Sequence, residues 1–194
     1  MSRKVNMLGI VLVLCLGFVV AGAAKVRINE IAWSGTKASW ADEWIELHNL
    51  GSKPVSLKGW ILSWGEVKVH LGGKKGNTGE ARTTEIPPEG YFLLERSDDK
   101  TIPGISADLI YQGGLNNSGE VIELRNASGD IVDRITQKEG WVAGSDREGD
   151  PPYSSMAKIN GGWENSDKSN QAKDSEGNPI VGSPGTRNGK KESK

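Results

Sequence analysis

Glu43-Trp44-Ile45-Glu46-Leu47-His48 alternates residue by residue: Ile45 and Leu47 fall on one face, and Trp44, Glu46 and His48 on the other. That period of two belongs to a β-strand, because successive side chains of a pleated backbone point to opposite sides. Working outward, residues 26–33 read as a preceding strand. Residues 55–63, carrying Leu57, Trp60 and Leu62, read as a following one, and residues 67–71 as its partner after the turn at Gly65. Residues 91–95 follow Pro87-Pro88-Glu89-Gly90, where proline presets the backbone and glycine permits positive φ. Residues 121–125 and 131–136 flank Asn126-Ala127-Ser128-Gly129-Asp130, a hairpin signal with Gly129 at the left-handed position of a bulged turn. No stretch after residue 24 has helical periodicity. Many short strands separated by turn signals predict an all-β sandwich or barrel.

Elsewhere the pattern is weaker. Residues 72–84 are polar and glycine-rich and read as a protruding loop. Beyond Gly140, Gly, Asn, Asp, Ser and Pro dominate, broken by Trp141, Ser155-Met156-Ala157-Lys158-Ile159 and Trp163; this reads as loops and one short strand tied to the sandwich. Residues 189–194 are expected to be a disordered tail.

The N-terminus has a different character. Arg3 and Lys4 precede an apolar run from Leu8 to Val20, and Ala21-Gly22-Ala23-Ala24 supplies the small residues of a cleavage site. This order predicts a secretory signal helix over residues 1–24 and a mature domain over 25–188. An uncleaved membrane anchor is the alternative, since about 18 apolar residues just span a bilayer. Cleavage leaves no stable membrane insertion and places the protein outside the cytoplasm, secreted or in the cell envelope. Leu14 before Cys15 does not fit a lipoprotein site.

Cutting after Ala24 removes Arg3 and Lys4 and no acid, so the net charge goes from −1 to −3. A nearly balanced surface argues against strong non-specific nucleic-acid binding and against polybasic attachment to lipid. Cys15 is the only cysteine and leaves with the signal, which removes disulfides, thiol nucleophiles and thiolate ligands. The fold must then rest on a sizeable hydrophobic core.

Particular runs carry a family resemblance. Val26-Arg27-Ile28-Asn29-Glu30-Ile31-Ala32-Trp33, followed by Asp42-Glu43-Trp44-Ile45-Glu46-Leu47-His48-Asn49, is similar to the opening of bacterial and archaeal lamin tail domains. Pro54-Val55-Ser56-Leu57-Lys58-Gly59-Trp60-Ile61-Leu62 resembles the family's Gly-Trp pair after a short apolar strand. Ile86-Pro87-Pro88-Glu89-Gly90-Tyr91-Phe92-Leu93-Leu94-Glu95-Arg96, Leu115-Asn116-Asn117-Ser118-Gly119-Glu120-Val121-Ile122-Glu123-Leu124 and Gly182-Ser183-Pro184-Gly185-Thr186-Arg187-Asn188 continue it in order. The resemblance implies an immunoglobulin-like β-sandwich of the lamin tail type. It implies little about activity, since one fold hosts many functions. In nuclear lamins the domain is an interaction module; in prokaryotes it occurs in secreted proteins, often beside nucleases or other hydrolases. No enzyme domain fits in the remaining residues here.

Candidate chemistry is sparse. Seven tryptophans stand out; Trp33, Trp44 and Trp60 lie in the strand motifs and are expected in the core. Trp40 and Trp64 sit beside turns, where an exposed indole offers a stacking platform. With Lys74, Lys75 and Arg82 of the 72–84 loop they form the candidate ligand-binding set, weighed against loop packing and simple solvation. Asp146, Glu148 and Asp150, and later Asp167, Asp174 and Glu176, are acidic loops without the twelve-residue EF-hand register; solvation is the simpler reading, with calcium left open. His48 and His70 have no second ligand nearby in sequence. No Gly-x-Ser-x-Gly or phosphate-loop motif occurs. Glu43 with Glu46, and Glu120 with Glu123, fall on opposite strand faces and make poor acid–base pairs.

The expectation is a non-enzymatic, exported binding or adhesion module without metal or cofactor, meeting a protein or a cell-surface ligand; a glycan or nucleic acid would be bound weakly. An accessory module for nucleic acid or a secreted nuclease is the first alternative, favoured by a clustered basic surface. An extracytoplasmic hydrolase is the second, favoured by a concave site joining His48 or His70 to several carboxylates.

Overall fold

A computed structural model describes residues 25–73, 75–167 and 171–189. The expected signal helix over residues 1–24, Lys74 and residues 190–194 lie outside the described residues. The described residues form thirteen strands and no helix: β1 (Val26–Ala32), β2 (Trp44–Asn49), β3 (Val55–Ser56), β4 (Ile61–Trp64), β5 (Val67–His70), β6 (Thr78–Ala81), β7 (Glu85–Ile86), β8 (Tyr91–Arg96), β9 (Leu109–Tyr111), β10 (Val121–Arg125), β11 (Ile131–Thr136), β12 (Met156–Ile159) and β13 (Gly162–Asn165). A seven-stranded sheet runs β13-β12-β1-β2-β8-β9-β6 and a four-stranded one β11-β10-β4-β5, with β3 and β7 as a separate pair. Pairing is antiparallel except between β8 and β9. The architecture is an immunoglobulin-like β-sandwich.

The alternation in β2 sets the core. Ile45 and Leu47 join Ile28, Ile31, Phe92, Leu94 and Leu109 against Leu62, Trp64, Ile122, Leu124 and Ile135 of the smaller sheet. Each such side chain contributes about 1.5–3 kcal/mol when fully buried. The expected burial of Trp33, Trp44 and Trp60 is observed. The hairpin of β10 and β11 forms as expected, with Gly129 at φ +88°.

Two strand expectations are corrected. Residues 55–63 are not one strand: the chain turns over residues 57–60, where the Trp60 amide donates to the Leu57 carbonyl and Gly59 adopts φ +79°. The chain thereby passes from β3 to β4 in a different sheet. Residues 72–84 are not simply a protruding loop, because β6 pairs with β9 at the edge of the large sheet. Asn77 accepts from the Lys68 amide and Thr78 from the His70 amide, which ties this segment to β5.

The other face of the large sheet is covered in part by the C-terminal segment. A register shift between Ile28 and Glu30 marks a β-bulge. To either side of it the outer face carries three cross-strand rows: Arg27–His48–Tyr91 before it, and Glu30–Glu46–Leu93 and Ala32–Trp44–Glu95 after it. Ala172 and Ile180 pack with Ile102 over Ala32, Trp44 and Leu93. Residues 183–185 fasten onto the middle row: the Ser183 amide and hydroxyl donate to Glu30 at 2.9 and 2.8 Å, and the Gly185 amide to Glu46 at 2.6 Å.

Candidate functional site

Trp40 is presented by a loop the sequence folds tightly. Gly35 adopts φ +78°, and a Cβ there would lie 2.4 Å from the Ser39 carbonyl oxygen, so the turn requires glycine. The Thr36 and Asp42 amides both donate to that carbonyl, at 2.9 and 3.2 Å. The Thr36 hydroxyl donates to Asp42, and the Ala38 amide to Asp174 of the C-terminal segment at 3.0 Å. So braced, the loop holds Trp40 73% exposed, the most exposed large hydrophobic residue among those described.

Beside the indole lies the Arg96 guanidinium, 4.9 Å from the ring centroid, a cation–π contact. Arg96 is itself held by Glu43, Nη1 donating to Oε1 at 3.2 Å, while the Leu115 amide donates to the other carboxylate oxygen at 2.9 Å. Burial pushes the Glu43 carboxyl up to about 7, against the opposing pull of Leu115 and Arg96. Gly114 leaves room for the guanidinium, since a Cβ there would stand 3.0 Å from Arg96 Nη1. The hollow so formed, about 380 Å³, is lined by Trp40, Glu43, Arg96, residues 114–117 and Glu120.

The other described candidates, Trp64, Lys75 and Arg82, do not join it. Trp64 is 2% exposed, which corrects its reading as a surface platform. It ends β4 on the inward face, donates from its indole nitrogen to the Gly114 carbonyl at 2.9 Å, and meets Tyr111 edge-on at 5.4 Å. Arg82 pairs with Asp108 at 3.1 Å and with the Ser106 carbonyl. Lys75 is exposed, with His70 nearby, and neither Lys75 nor Arg82 lines the hollow. Arg96 and residues 114–117, which do line it, were not in the candidate set; the family runs that contain Arg96 and residues 115–117 carry no binding role, and pairing between β2 and β8 is what brings Arg96 to Glu43.

The acidic loops have local uses. Asp146 accepts from the Glu148 amide, and Asp174 accepts from Ala38, Glu176 and Asn178. Among the described residues no group of three or more His, Cys, Asp or Glu is placed to hold a metal ion. His48 stacks on Tyr91 with centroids 4.4 Å apart, and burial, then the nearby Arg27, lower its pKa. Its row holds Arg27, not a set of carboxylates.

A family model of the lamin tail domain matches residues 20–139. The chain belongs to the lamin tail domain family. The match covers β1 to β11, while β12, β13 and the segment that covers part of the outer face lie beyond it. No curated protein matches the chain. Among the described residues of this lamin tail domain, no helix is long and apolar enough to cross a membrane.

Proposed function

We propose that this lamin tail domain is an exported, non-catalytic interaction module that meets a protein or cell-surface ligand at the end of the sandwich carrying Trp40. One observation carries the reading: a rigidly braced, exposed indole stacked beside a buried-base arginine at the mouth of a polar hollow. Tryptophan and arginine are the residue types that most often dominate the energy of protein contacts. Bracing lowers the ordering entropy such a contact must overcome. A hydrolase finds no support in this arrangement, because His48 and His70 are not joined to a carboxylate set or a nucleophile.

Export rests on the charge and hydropathy order of residues 1–24; a cut after Ala24 leaves β1 whole, since that strand opens at Val26. The contact is tested by placing a photo-crosslinking benzoylphenylalanine at position 40 and, as a control on the other sheet, at position 131. Irradiation on intact cells of the producing organism should give a discrete adduct from position 40 alone. Equal adducts from both positions would refute a contact centred on Trp40.

A further inference from the structure

The charge around Trp40 is one-sided. Arg96, the cation stacked on the indole, is paired with Glu43, Nη1 donating to Oε1 at 3.2 Å. What surrounds that pair is mainly acidic. Asp42 follows Trp40 by two residues in the same loop, and Asp98 follows Arg96 by two. The C-terminal segment adds Asp174, which accepts from the Ala38 amide of the Trp40 loop at 3.0 Å, and Glu176 beside it. In the hollow, Glu120 is a second lining acid with Glu43.

These carboxylates act on one another. Burial raises the Asp42 carboxyl and the Thr36 hydroxyl opposes it, while the charges of Asp174, Asp98 and Glu176 add to the rise. Across residues 36–42, 97–100 and 172–178, Asp42, Asp98, Asp99, Asp174 and Glu176 stand against Lys37, Lys100 and Lys173. Asp174 is buried and already accepts from the Ala38, Glu176 and Asn178 amides, whereas Asp98 and Glu176 are exposed. Lys100 reaches Asp98 only at 4.0 Å with both side chains largely in solvent, a contact that an incoming cation exchanges readily.

An exposed indole in an acidic setting selects its counterpart. The ring face is the negative end of the aromatic quadrupole and attracts a cation. Nearby carboxylates strengthen that attraction and repel phosphate. With the Arg96 charge balanced by Glu43, the ring is left 73% exposed to a second cation. We infer that the partner is a protein presenting a basic segment, one lysine or arginine stacking on Trp40 while its neighbours meet Asp98 and Glu176. This rests on the contact at Trp40 proposed above and adds the chemistry of what meets it.

Fluorescence anisotropy at pH 8, at low and physiological salt, is read with the exported protein and labelled octapeptides alternating glycine with lysine, glutamine or glutamate. A single-stranded oligothymidylate is the nucleic-acid arm. Wild type should prefer the lysine peptide to the other three probes, binding it more weakly at the higher salt. Asp98→Lys with Glu176→Lys should weaken that binding at least about tenfold, and Trp40→Ala at least about threefold, each with the thermal transition retained. The control reversal, Glu85→Lys with Asp130→Lys, makes the same change of net charge at the other end of the sandwich. Glu85 precedes Ile86, whose carbonyl takes the Asn49 side chain at the far end of β2, and Asp130 closes the β10–β11 turn. It should alter binding less than about twofold. No preference for lysine, tighter binding of oligothymidylate, or equal losses in the two reversals would each overturn the inference. If the lysine preference is missing while Trp40→Ala still weakens binding to cells, the contact stands and its basic partner falls.

Discussion

Glu30 and Glu46 stand directly opposite each other on β1 and β2, both fully buried. Ser155 and Ser183 donate to Glu30, and Asn29 and Gly185 to Glu46, so the pair joins the sheet to the C-terminal segment. Two opposed carboxylates away from water resist double ionisation. Burial, and then the charge of Glu30, hold the Glu46 carboxyl well above its ordinary value.

This arrangement makes stability depend on pH in a stated direction. Glu43 and Glu95 are also raised, to about 7 and about 8, from an ordinary 4.5. In each case the folded state holds its proton more tightly than the unfolded state. Their stabilising contribution is therefore complete below pH 4.5 and is lost as pH rises toward 8. Thermal unfolding followed by circular dichroism should give a higher Tm near pH 5 than near pH 8, each kcal/mol lost appearing as roughly 2–4 °C. Glu46→Gln should flatten the slope. A Tm that rises across this interval would contradict the linkage.

The C-terminal segment should be required for folding although it lies beyond the matched family span. Ending the chain at residue 139 removes β12 and β13, exposes Trp44 and Leu93, and takes Ser155, Ser183 and Gly185 from the buried carboxylates. An uncompensated buried polar group costs about 1–3 kcal/mol, more when charged. The fragment over residues 25–139 should show collapsed amide dispersion in its NMR spectrum. A well-dispersed spectrum matching the full chain would show that the segment is only an accessory.

Much of this was legible in the sequence, and the gaps have physical causes. The inward set of β2 and the β10–β11 hairpin follow from alternation and turn chemistry acting locally. By contrast, β6 is Thr78-Gly79-Glu80-Ala81, an edge strand without an apolar row, held mainly by backbone pairing. The three-residue β9 draws its pairing from residues distant in sequence. The β12–β13 hairpin does carry a local signal: Asn160-Gly161, both at positive φ, is a favoured two-residue turn. Trp64 looked peripheral because a turn follows it, yet β4 runs one residue further and keeps it inward.

Trp60 tests the strand phase in the region where the chain divides into β3 and β4. It is buried in the main core, with its amide bonded to the Leu57 carbonyl. Trp60→Ala should cost about 3–5 kcal/mol in a denaturant titration. A loss below about 1 kcal/mol would place the side chain at the periphery.

The proposed export makes a mass prediction. Natively expressed protein should begin at or within one residue of Lys25, as read by intact mass spectrometry. Retention of residues 1–23 would instead indicate an uncleaved anchor.

The braced indole of Trp40 is the proposed contact surface. Binding of fluorescently labelled mature protein to intact cells of the producing organism, titrated for wild type and Trp40→Ala, tests it most directly. Trp40 projects into solvent, so its removal should leave the thermal transition unchanged. The loss expected of an interface anchor is about 2 kcal/mol or more, a roughly thirtyfold weakening. Saturable binding of wild type, with that weakening in the variant, is the predicted result; superimposable binding curves for two equally folded proteins would contradict the account.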